Sequence, residues 1–130
     1  MTRPMSIELV NEYGTPAVCI RIEGGTAMLE SSDVDAVIEH LAMLRASMRP
    51  EVPRKPAHSH QYLIEMDPCW HAETSPLFDG VVLMLRHTGI GWAGFAIPQE
   101  NLEKLTEVLS STAKAVKEAQ SAERLAMLPN

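Results

Sequence analysis

The stretch VVLMLRHTGIGWAGFAIPQENL, residues 81–102, decides how the chain is to be read. Gly89, Gly91 and Gly94 spell G-x-G-x-x-G, the pattern that cradles a pyrophosphate in dinucleotide-binding proteins. That use requires a strand before the glycines, a helix opening among them and a parallel crossover. The strand is present: Val81 to Arg86 is almost continuously apolar and reads as a central strand covered on both faces. The helix is missing. Phe95, Ala96 and Ile97 suit a strand, and Pro98 sets helix onset after the motif has ended, at the first helical position that proline favours. A pyrophosphate would find no helix N-terminus to sit on. The kinase type of glycine hairpin fails as well, since no Val-Ala-Ile-Lys lysine and no His-Arg-Asp loop follow. The stretch therefore reads as a hairpin and then a helix. Gly89 supplies the turn, while Gly91 and Gly94 thin the return strand so that Trp92 and Phe95 can bend across a neighbour or a partner.

The first half has the same grammar. Ile7 to Val10 reads as a strand, followed by a turn around Gly14. Ala17 to Glu23 alternates, with Val18, Ile20 and Ile22 on one face and Cys19, Arg21 and Glu23 on the other. Gly24-Gly25 has the composition of a two-residue hairpin turn, and Thr26 to Glu30 returns. Ser32 and Asp35 have capping-box spacing, and Val34, Val37, Ile38, Leu41, Leu44 and Met48 recur at helical period up to Pro50. Residues 50–57, rich in proline, read as a stiff polyproline connector. The second half then offers a strand at Gln61 to Met66, a loop from Pro68 to Gly80, the hairpin above, and a helix from Pro98. Leu102, Leu105, Leu109, Ala113 and Val116 line the stripe of that helix.

The expected fold is thus a single α+β domain spanning residues 1–130. It is built from two tandem β-β-β-α units, about 5–49 and 58–128, forming one antiparallel sheet with both helices packed on one face. Residues 98–128 contain no glycine and no internal proline. A helix of that length measures about 46 Å, whereas a compact domain of this size is about 36 Å across. Either the helix frays near residue 118, or its end packs on another chain, which points to a homodimer.

Composition narrows the function. The chain has 130 residues, 45% of them hydrophobic, and a formal net charge of −6, enough apolar content for a core. The acidic balance argues against direct nucleic-acid contact and against anionic membranes, and favours a basic protein partner. Two cysteines make no disulfide framework. The N-terminus has no signal-like apolar region, and the longest apolar run is too short to span a bilayer. A cytoplasmic location is the expectation.

Chemistry is sparse. HSHQYLIEMDPCWH, residues 58–71, holds His58, His60, Cys69 and His71, whose side chains are of the types that bind zinc, although their spacing matches no zinc finger or ribbon. If they are not ligands, the histidines lie exposed at a linker end and Cys69 and Trp70 pack under the loop. Cys69 with His71 or His87 is a candidate thiolate pair, but no turn is present to position the sulfur as a nucleophile. Glu65 and Asp67 share a strand face. No serine-hydrolase motif occurs. The expected function is a small acidic protein-binding module without catalysis or cofactor, of adaptor, chaperone or inhibitor type, acting as a homodimer. Trp70, Trp92, Phe95, Leu125 and Leu128 are its candidate partner contacts. The alternative is a zinc-binding protein or small metalloenzyme built on His58, His60, Cys69 and His71.

Overall fold

The computed structural model describes residues 4–12 and 14–127. Its elements run β1 (Met5–Glu12), β2 (Thr15–Ile22), β3 (Gly25–Leu29), α1 (Ser31–Arg45), β4 (Trp70–Thr74), β5 (Gly80–His87), β6 (Gly91–Pro98) and α2 (Gln99–Met127). The chain is α+β. Its strands form two three-stranded sheets, β1-β2-β3 and β4-β5-β6, rather than the single sheet expected. Among the described residues each strand pairs with strands next to it in sequence, because short connections make those pairings cheapest in loop-closure entropy. The chain divides into two compact units, Met1–Ile64 with Gly89–Gly91 and Glu65–Thr88 with Trp92–Asn130. Among the described residues no helix is long and apolar enough to cross a membrane.

In the first unit β1 pairs with β2 from Met5 opposite Ile22 to Glu12 opposite Thr15, and β2 pairs with β3 from Val18 opposite Leu29 to Ile22 opposite Gly25. The β2–β3 turn therefore uses Glu23 and Gly24, one residue earlier than the Gly24-Gly25 reading. Gly24 carries the left-handed conformation the turn needs, with φ +89°, which glycine adopts without steric cost. The start of α1 also lies earlier than expected. The Glu30 backbone N–H donates to the Asp33 carboxylate at 3.0 Å, so the reach-back is made by Asp33 and not by Asp35. Helix α1 contacts β2 and β3. Its half-buried residues are Val34, Val37 and Ile38, while Leu41, Leu44 and Met48 remain exposed. Only the first half of the apolar stripe is covered.

Residues 61–66 form no strand. The preceding linker folds back locally: the Tyr62 hydroxyl accepts the Ala57 N–H at 2.7 Å and donates to the Ala57 carbonyl at 3.2 Å. The Tyr62 ring stands edge-on to His60, with centroids 4.8 Å apart. Asp67 then takes a left-handed conformation, φ +46°, which an extended strand cannot contain. The pairing expected of this segment falls to β4, inside the stretch read as a loop. The Arg86 N–H donates to the Cys69 carbonyl at 2.9 Å, and the ladder continues from Trp70 opposite Leu85 to Thr74 opposite Val81.

Strand β5 is central in its sheet, as expected, with Val81 to Leu85 half-buried. Two glycines let β6 and its flanks approach it. A Cβ on Gly80 would run into the Ile97 carbonyl oxygen and lie 2.9 Å from Pro98 Cα. A Cβ on Gly94 would lie 2.8 Å from the Met84 sulfur. Pro98 closes β6 instead of opening the helix. Helix α2 begins at Gln99, whose N–H donates to the Asp79 carbonyl at 3.1 Å, and runs unbroken to Met127.

Gly80→Ala is expected to destabilise the protein by about 1–3 kcal/mol, the usual cost of forcing a methyl against fixed backbone. Gly94→Ala should cost less, because the Met84 thioether can swing aside. Urea unfolding of the two variants checks the order. Equal losses would contradict the close backbone approach at Gly80.

Candidate partner-binding faces

Cross-strand partners in a sheet share a face. In the first sheet Leu9, Val18 and Leu29 therefore share one face with Ile7, Ile20 and Ala27, and with Met5 and Ile22. Glu8, Cys19 and Met28 lie on the other, with Ser6, Arg21 and Thr26. The one buried apolar residue of the described chain is Cys19, at 4% exposure. It belongs to the mixed face. The apolar face is the open one: Met5, Ile7 and Ile22 are exposed and Leu9 is 76% exposed, with Val18, Ile20 and Leu29 half-buried between them. Alternation within β2 marks this face in the sequence; β1 extends beyond the expected Ile7–Val10 to Met5 and Glu12, and so adds Met5 to it.

The aromatic candidates lie in the second sheet. Trp70 is opposite Leu85 and so shares its face. Gly94 faces the Met84 side chain, which places Phe95, one residue on, on the Trp70 face and Trp92 on the Met84 face. All three aromatics are exposed, Trp70 at 69%. Trp70 and Phe95 thus belong to one surface and Trp92 to another. Leu125, 70% exposed on the last turns of α2, is apart from the strands in sequence. Leu128 lies outside the described residues.

The metal candidates are distributed over both units. His58 and His60 belong to the linker turn of the first, and Cys69 and His71 flank the start of β4 in the second. Cys69 is a free, exposed thiol and Trp70 is exposed beside it, so neither packs under a loop. His71 Nε2 lies 3.3 Å from Glu73 Oε2, two residues along the same strand face. Among the described residues no group of three or more His, Cys, Asp or Glu side chains is placed to hold a metal ion.

Glu65 and Asp67 do not form a carboxylate pair on a strand. The Glu65 carboxylate instead accepts the Thr88 backbone N–H, at 3.2 and 3.3 Å, and the Thr88 hydroxyl. The hydroxyl is the largest cause holding the Glu65 carboxyl below the usual range. Desolvation opposes it, and the Thr88 N–H and the charges of His87 and Arg86 add to it. The pair ties the segment before β4 to the end of β5. A depressed carboxyl pKa contributes stability above the group's ordinary value, and the contribution is lost as pH falls through the lowered one. Thr88→Val should therefore lower the Tm at pH 7, and the difference from the parent should narrow as pH falls through the lowered value. A Tm difference that stays constant across this span would remove the carboxylate from the account.

Comparison with known proteins finds no matching family, no matching curated protein and no matching solved structure.

Proposed function

We propose that this chain is a non-catalytic protein-binding module, of adaptor, chaperone or inhibitor type, that works as a homodimer. The observation that carries this reading is the open apolar face of the first sheet, with Met5, Ile7, Leu9 and Ile22 exposed together. A contiguous apolar patch rimmed by polar residues is the usual mark of an interaction site. Covering each of these side chains is worth about 1.5–3 kcal/mol, a driving force that a partner can use.

The surface area supports the same reading. The chain exposes 12108 Å². A compact monomer of its mass exposes about 6,800 Å², and two separately folded halves would expose about 8,200 Å² in total. The excess therefore belongs to the units themselves, whatever their arrangement. The net charge of −6 suits a basic partner surface beside the apolar face.

Native mass spectrometry of the untagged protein tests the homodimer, with an expected mass of two chains and nothing added. An apolar dye tests the face: it should bind the parent and bind much less to an Ile7→Lys, Leu9→Lys double variant. A monomer that takes up no dye would overturn the reading. One retained metal ion per chain, lost in His58→Ala or Cys69→Ser, would replace it with the zinc-binding alternative.

A further inference from the structure

We infer that the two copies meet through α2, paired antiparallel with the α2 of the second chain. This rests on the homodimer reading and names its interface. From Glu103 to Met127 every residue of α2 is exposed. Only the first turn is held by its own unit, through half-buried Leu102 and the Gln99–Asp79 hydrogen bond. Yet the exposed part is strongly patterned. Leu105, Leu109, Thr112, Val116, Ala119, Glu123 and Ala126 recur at alternating four- and three-residue steps, the seam spacing of a helix that packs on another helix, with Glu123 its one charged member. Every charged residue of α2 except Glu123 falls on the three heptad positions farthest from that seam. Between residues 105 and 123 the positions flanking the seam hold Thr106, Val108, Ala113, Ala115, Gln120 and Ala122, mostly small residues that permit close approach. Leu125 falls outside the seam.

Length and area select a second copy as the occupant. The 29 residues of α2 span about 44 Å, against about 36 Å for the diameter of a compact 130-residue domain. A helix of that length offers a second copy several turns of seam. The surplus surface of about 3,900 Å² per chain exceeds the roughly 800 Å² that each partner contributes to a standard interface.

Charge selects the orientation. Residues 100–107 carry three glutamates and one lysine, whereas residues 114–124 carry three basic residues and two glutamates. Except for Glu123, those charges lie on the outer face and act only at long range across the pair; antiparallel pairing brings the unlike ends nearer and opposes the helix dipoles favourably. Parallel pairing in register would press Glu123, the one charge in the seam, against its own copy in a partly dry interface, which is costly. Antiparallel pairing separates the two.

Spin-label distances in the full chain test this. Glu100→Cys and, separately, Lys114→Cys are labelled on a Cys69→Ser background, with Cys19 buried. Both sites lie on the outer face of α2. The antiparallel pair predicts an interchain distance at least about 10 Å longer at residue 100 than at residue 114. Equal distances at the two sites mean a parallel pair and overturn the orientation. Light scattering of Leu109→Glu with Val116→Glu should give the monomer mass while circular dichroism keeps the helix. If that variant loses its helix, the label distances decide. A parent that is itself a monomer overturns the homodimer reading. A parent dimer whose double variant remains a helical dimer overturns only the α2 seam.

Discussion

The structure depends on one constraint: each sheet has three short strands and a single helix that reaches it only with its opening turns. Helix α1 covers with Val34, Val37 and Ile38 and then leaves Leu41, Leu44 and Met48 bare. Helix α2 covers with Leu102 and leaves everything after it bare. Two layers are the minimum for a core, and here the second layer is begun and not completed within either unit. Hence a chain that is 45% hydrophobic buries only Cys19 fully among its described residues. Hydrogen bonding satisfies the backbone of each element locally. The apolar side chains have no comparable local solution, because their stabilisation comes only from area removed from water.

This imbalance is what the proposed binding role would use. Ladder bonds, the Asp33 reach-back to Glu30 and the Gln99–Asp79 anchor fix each unit's shape without a large core. Local geometry can therefore be set before the apolar faces are covered, so the faces are presented in a definite register. On the first sheet that register stacks Leu9 beside Val18 and Leu29, and Ile7 beside Ile20. Pre-set faces of this kind lose little side-chain and backbone freedom on docking, which is where binding energy is otherwise consumed.

Much of this was legible in the sequence where the signal was local. The hairpin-then-helix reading of residues 81–102 holds because Pro98 forbids a helix inside the glycine motif and because β5 is long and apolar. The element order was legible for the same reason, as was the α+β class. What failed depended on non-local pairing. Residues 61–66 alternate well enough for a strand, yet Tyr62 bonds to Ala57 and Asp67 takes a left-handed turn. The five residues from Trp70, which carry a weaker pattern, pair with β5 because the hairpin geometry presents them to it. Turn positions slipped by one residue at Gly24, since either neighbouring glycine satisfies the composition and only the register with Ile22 decides. The apolar stripes are covered only at Val34, Val37 and Ile38 of α1 and at Leu102 of α2, because periodicity marks an apolar face and is silent on what covers it.

The same distinction governs the chemistry-bearing residues. A catalytic or metal centre needs several groups converging within a few ångströms, with partners that tune them. In this chain Glu65 is engaged by the turn residue Thr88, His71 lies beside Glu73 along its own strand, and His60 stacks edge-on with Tyr62 in the linker. Each of these contacts stabilises a local bend or strand and leaves no common point of convergence among those side chains. The apolar residues do converge, in rows across the first sheet and along a seam of α2. Selection for a function acts on whatever a fold holds in register, and what this fold holds in register is apolar surface. The proposed binding role rests on that surface.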